Sequence, residues 1–127
     1  MKCKLTPELS SGDWKDFCSR FHFASTDLPH IQAIYTALLP LVECYAYYSL
    51  DQDLDEVSLS HYAYGFVTLG TGLDELSELY LNHEQIQEAY IVDCISLVLL
   101  SKAYEAFAHV VENQTNLYPA ELSFLGD

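Results

Sequence analysis

Basic side chains are scarce in this 127-residue chain: five Lys and Arg stand against 19 Asp and Glu, for a net charge of -14. They are Lys2, Lys4, Lys15, Arg20 and Lys102, and four of them fall in the first 20 positions. A nucleic-acid backbone needs Lys and Arg to displace its counterions, so no nucleic-acid partner is expected. An anionic membrane surface is disfavoured for the same reason. A protein partner with a basic surface is compatible with the charge, and so is plain solubility.

Catalytic and metal-binding signatures are lacking too. Cys3, Cys18, Cys44 and Cys94 show no C-x-x-C spacing, and the N-terminus leads into no apolar signal run. Four free thiols in a reducing cytosol are the simplest reading, which points to a soluble, cytoplasmic protein. The longest apolar block, Ile91 to Leu100, contains Asp93 and Ser96 and has about half the length that crosses a bilayer. The five His residues, 22, 30, 61, 83 and 109, show no H-x-x-x-H or H-E-x-x-H spacing, so no metal is expected.

Asp51, Asp53 and Asp55 look like the start of a calcium loop. Glu56 stands where that loop needs Gly and Tyr62 where it needs its bidentate Glu, so a solvated turn is the reading. Gly70-Thr71-Gly72 lacks the third glycine of a dinucleotide fingerprint, since position 75 is Glu. Asp74 and Glu75 would also repel a phosphate. Cys94 has no His or Lys beside it to lower its pKa, so it reads as packing rather than a nucleophile. Catalysis by this chain alone is not expected.

What is present is apolar and aromatic. Half the residues are hydrophobic, with ten Tyr and six Phe against one Trp and one Met. The length suits one domain, 1–127, with a proper core. A buried Tyr needs a partner for its hydroxyl, so several of these rings belong at a core boundary or in a cleft.

The pattern along the chain predicts an α+β fold. Asp13 is placed to cap a short helix through Arg20, with Trp14, Phe17, Cys18 and Phe21 on one face. Ser25-Thr26-Asp27 starts a helix from Leu28 to Leu39, with Pro29 in its first turn, and Pro40 ends it. Residues 41–50 and 61–68 are rich in Tyr, Phe and Val and read as neighbouring antiparallel strands. A helical reading of 41–50 stays open.

Thr71-Gly72-Leu73-Asp74 reads as a capping box, followed by an apolar face of Leu73, Leu76, Leu79 and Tyr80. Asn82 to Gln85 is a second cap. From there a helix runs to about Glu112, with Ile86, Ala89, Tyr90, Asp93, Leu97, Leu100, Tyr104, Phe107 and Val111 three or four apart. Ile91 to Leu100 is apolar nearly all round, which predicts burial on most sides. A small antiparallel sheet packed against this long C-terminal helix, with additional N-terminal helices, is the expected architecture. Asp93 is the unusual acid: an unpaired carboxylate in an apolar segment is costly, so it should be paired, capping backbone, or facing a cleft.

These residues carry a resemblance. Phe66-Val67-Thr68-Leu69-Gly70, then Leu73-Asp74-Glu75-Leu76, Gln87-Glu88-Ala89 and Val92-Asp93-Cys94 resemble the activation domain of cobalamin-dependent methionine synthase and its short stand-alone relatives. The likeness covers roughly residues 40 to 112. It implies an α+β fold, S-adenosylmethionine (AdoMet) as ligand, and a part in reductive remethylation of an oxidised corrinoid, in contact with a corrinoid-binding protein. It implies Thr68, Gly70 and Asp93 as cofactor-site positions.

The family's Arg-x-x-x-Gly-Tyr-Pro segment, which holds AdoMet, has no counterpart here, because no Arg follows Arg20. The matching region would be residues 118–127. The resemblance thus implies either a fragment of a larger activation-type domain or a relative without that determinant.

Two other readings compete. One is a small acidic interaction module of the inhibitor, immunity-protein or nucleic-acid-mimic type. The other is a small-molecule pocket lined by Tyr45, Tyr47, Tyr62 and Tyr64, which alternate along the two strands. An aromatic surface of this kind also leaves a homodimer open.

Overall fold

The computed structural model describes residues 2–52 and 61–115. Strand β1 is Lys2–Lys4, helix α1 is Asp13–Phe21, and α2 is Leu28–Leu38. Strands β2, Tyr45–Gln52, and β3, His61–Thr68, follow, then helices α3, Gly72–Asn82, and α4, Ile86–Thr115. The fold is α+β. The acidic turn expected at residues 51–56 and the exit segment at 118–119 lie largely outside the described residues.

The sheet is antiparallel, in the order β1-β2-β3. Its register places Lys2 opposite Tyr47 and Tyr47 opposite Phe66. Alternation then sends Cys44, Ala46, Tyr48 and Val67 inward. There they pack with Leu5 against Ala103 and Phe107 of α4. Gly65 permits the close approach of β2 and β3, since a Cβ there would lie 2.4 Å from the Tyr47 carbonyl oxygen.

The larger core is helical. Trp14 and Phe17 of α1, Ile31, Ile34 and Leu38 of α2, and Leu73 of α3 surround Ile91, Val92, Cys94, Ile95 and Leu99 of α4. Helix α4, roughly 45 Å long, therefore serves two cores in succession: the helices along its first half and the sheet along its second. Trp14 sits edge-on to Tyr35 at 5.1 Å, and the Tyr35 hydroxyl accepts the Leu9 N–H at 2.9 Å. That gives this core-boundary Tyr the polar partner it needs.

Several details differ from the sequence expectation. Strand β2 begins at Tyr45 rather than 41, because Leu39-Pro40-Leu41 forms a 3-10 turn, with Pro40 lacking the N–H that a continued helix would use. Strand β1 was not expected at all. Asp13 is the first helical residue rather than the cap: Gly12 holds the cap position, and Asp13 Oδ2 reaches back to the Ser10 N–H at 2.7 Å. Thr71 caps α3 without a side-chain hydrogen bond, so the capping box does not form.

The buried stripe of α4 follows the expected spacing only in part, with Ala89 and Phe107 inside as expected. Ile91, Val92, Ile95, Leu99, Ala103 and Phe107 are inside, while Ile86, Tyr90 and Leu97 are exposed. A run that is apolar nearly all round has no unique phase, so helical periodicity alone does not select the buried side. On α3, Leu79 is exposed and Ser77 is buried in its stead.

Candidate functional site

The end of β3 and the turn after it are tightly specified. Gly70 has φ +84°, a conformation that L side chains rarely adopt. Its N–H donates to Thr68 Oγ1 at 3.1 Å, and the Glu43 N–H bonds the Leu69 carbonyl at 3.0 Å. Gly72 lets the start of α3 press on the preceding turn, since a Cβ there would stand 2.7 Å from the Leu41 carbonyl oxygen. Both glycines thus answer to backbone geometry. Asp74 and Glu75 occupy the first turn of α3 and oppose an anion there.

This turn forms one wall of an open groove of about 480 Å³. Val67, Thr68, Leu69 and Gly70 line it from the strand end, Leu73 and Asp74 from α3, and Asp93, Ser96, Leu97 and Leu100 from α4. The three positions singled out by the resemblance, Thr68, Gly70 and Asp93, are brought together here although up to 25 residues separate them in sequence. Asp93 is exposed to the groove rather than buried. Ser77 Oγ, on the buried side of α3, donates to Asp93 Oδ1 at 3.0 Å, which holds the carboxylate while it keeps further acceptor capacity. Ser96 Oγ turns back to the Val92 carbonyl at 2.7 Å.

The groove therefore offers two carboxylates, a Thr hydroxyl, a glycine turn and apolar walls of Leu69, Leu73, Leu97 and Leu100. Among the described residues no Lys, Arg, His or Cys lines it. The part played by Ser77 was not read from the sequence. The only signal was its place on α3 four residues after Leu73, where a small polar residue interrupts the buried face.

Other candidate positions stand apart. Cys94 is buried, and desolvation raises its thiol above the ordinary value, with Tyr90 and Arg20 pulling the other way. Burial likewise raises Cys44. All four cysteines are free. Among the described residues no group of three or more His, Cys, Asp or Glu is placed to hold a metal ion, and no helix is long and apolar enough to cross a membrane.

Tyr45 and Tyr47 lie on the outer face of the sheet, where Tyr47 stacks on Phe66 at 5.2 Å and the Lys2 ammonium sits 4.2 Å from the Tyr45 ring centre. On that face they bring together a stacked ring pair and a cation–π contact. The side chains of Tyr62 and Tyr64 lie outside the described residues.

Neither a known protein-family model nor a curated protein matches this chain. The likeness to activation domains accordingly stands on the residues quoted for it.

Proposed function

We propose that the chain is an accessory binding module of the activation-domain type, taking AdoMet in the groove between Thr68-Leu69-Gly70 and Asp93. In this role it supports reductive reactivation of a corrinoid-dependent methyltransferase, in contact with the corrinoid-binding protein. The observation that carries the reading is the meeting of Thr68, Gly70 and Asp93 in one groove that has two carboxylates and, among the described residues, no cationic side chain.

AdoMet bears a sulfonium and an ammonium beside a carboxylate and an adenosyl group whose flat base offers apolar faces, and it supplies a methyl group to a reduced corrinoid. Asp93, held by Ser77, and Asp74 complement those positive centres. Leu69, Leu73, Leu97 and Leu100 give its adenosyl portion apolar contact. The fit covers the cationic part of the ligand; no guanidinium stands in the groove for its carboxylate.

The test is calorimetric titration with AdoMet and, in parallel, with S-adenosylhomocysteine, which lacks the sulfonium charge. The reading expects AdoMet to bind more tightly than S-adenosylhomocysteine, and Asp93→Asn to narrow the gap. Equal affinity for both ligands, or none for either, rules it out.

A further inference from the structure

We infer that the exposed stripe of α4 from Ile86 to Leu97 is a docking face for a cationic amphipathic helix of a partner protein. Ile86, Tyr90, Asp93 and Leu97 recur at i, i+4, i+7 and i+11, which puts them on one side of the helix. Ile86 is 69% exposed, Tyr90 47% and Leu97 55%. Tyr90 leans on Phe23 at 5.6 Å and still keeps that exposure. Asp93 stands in the line, held by Ser77 through one of its two oxygens. The stripe covers roughly 16 Å of helix, the length of about three turns of a partner.

Charge selects the occupant. Residues 71–101 carry Asp74, Glu75, Glu78, Glu84, Glu88 and Asp93 and contain no Lys or Arg. Of these, Glu88 is engaged with His30 at 3.3 Å. A second copy of the chain would bring acid against acid across this face, and an anionic lipid surface would be repelled. A helix with apolar residues on one side and Lys or Arg among them meets both features: its apolar side covers Ile86, Tyr90 and Leu97, and a central Lys or Arg pairs with Asp93. Grooves and stripes of this type read partner helices through anchors at the same helical spacing. Asp93 and Leu97 are shared with the groove, so a docked helix and AdoMet would compete for them, whereas Ile86 and Tyr90 lie outside the groove and test the docking face separately.

The probe is a fluorescently labelled amphipathic peptide of about 18 residues, built of Leu on one face and Lys on the other, followed by anisotropy at physiological salt. Two counterparts accompany it, one with Glu for Lys and one with Ser for Leu. The Leu–Lys peptide is expected to bind and both counterparts to fail. The double variant Ile86→Ser, Tyr90→Ser is expected to weaken binding by about tenfold or more while leaving AdoMet titration unchanged. Asp93→Asn is expected to weaken it less, and Asp16→Asn on α1 to leave it unaltered.

Circular dichroism of each variant checks that the helices remain; all of these positions are exposed. Equal binding of the Ser-for-Leu peptide would reduce the effect to bulk charge and overturn the proposal. So would an unchanged affinity in the double variant. A dimer in sedimentation that the double variant dissolves would assign the stripe to a second copy and overturn it as well.

Discussion

Leu97 and Leu99 stand two residues apart on α4, yet Leu97 is 55% exposed and Leu99 is 0% exposed. The same apolar run thus has two sides. Leu99 packs among residues from α1, α2 and α3, whereas Leu97 lies on the groove. Local composition does not distinguish them; the number of elements that wrap each side does. Residues of α1 and α2 cover one side, while α3, which gives Leu73 to that core as well, and the end of β3 border the other. An apolar side chain left open beside a fixed carboxylate is the pattern of a recognition surface rather than of a core.

The sharpest way to break this comparison is to truncate both leucines. Leu99→Ala should cost about 2–5 kcal/mol, through lost burial and the cavity left behind. Leu97→Ala should stay within about 0.5 kcal/mol, as at other exposed positions. Denaturant unfolding monitored by circular dichroism measures both. Equal losses would mean that the groove side is packed like the core, and the recognition reading of the stripe would go with it.

The two cores along α4 allow a second contrast. The helical core relies on large side chains, while the hairpin β2–β3 depends on an absence. At Gly65 a Cβ would meet the Tyr47 carbonyl oxygen at 2.4 Å and Tyr48 Cβ at 2.7 Å. Both neighbours belong to the paired strand, so relief requires the strands to part. Gly65→Ala should destabilise by about 1–3 kcal/mol, the usual range for forced overpacking. Gly12→Ala, which meets nothing within 4 Å, is the matching control. A Gly65→Ala protein as stable as the parent would show that the hairpin tolerates separation.

Much of this organisation was legible in the sequence, and the misses share a cause. Helix α1 ends one residue from its expected end, α2 likewise, and β3 matches 61–68. These segments carry strong local patterns bounded by Pro or Gly. Strand β1 is three residues, Lys-Cys-Lys, with no strand signal of its own; its pairing with β2 creates it. The caps failed because side-chain oxygens had alternatives: Asp13 reaches the Ser10 N–H and Oγ, and Thr68 rather than Thr71 bonds the turn, through the Gly70 N–H. In the candidate site, Asp93 stood out as an acid in an apolar run. Its partner Ser77 lies 16 residues earlier, a distance that helical periodicity cannot bridge. The phase of the buried stripe on α4 depends on which neighbours arrive, and that is tertiary information.

A smaller effect sharpens the link between α1 and the second half of α4. Lys102 Nζ meets Asp13 Oδ2 at 3.1 Å, both side chains partly exposed. The Ser10 N–H, then Lys102 and the Ser10 hydroxyl, hold the Asp13 carboxyl below its ordinary value. A carboxylate depressed in this way stabilises the fold above its unfolded-state pKa, and that contribution disappears as pH falls through the folded one. Asp13→Asn should therefore lower stability at neutral pH, where the contribution is present, and leave strongly acidic pH little changed, which flattens the acid limb of a stability–pH profile, while Lys102→Met should raise the midpoint of that limb. A profile unchanged by Asp13→Asn would mean that the pair is screened to insignificance, as many exposed ion pairs are.

The least energetic test concerns the thiols, and it separates interior from boundary without perturbing either. Cys44 and Cys94 are buried, whereas Cys3 and Cys18 are half-exposed. Desolvation raises the first two thiols above the ordinary value, so each presents less thiolate to an alkylating reagent and also less access. Pulse alkylation read by mass spectrometry should modify Cys3 and Cys18 first, with Cys44 and Cys94 reacting only as the chain opens. The same shifts set a sign at high pH: above about 8.5, the ordinary thiol value, the unfolded chain releases protons that the folded one retains. Stability must then fall as pH rises. Early alkylation of Cys94 would place it at an accessible surface, and the packing of α4 in the helical core would have to be redrawn around it.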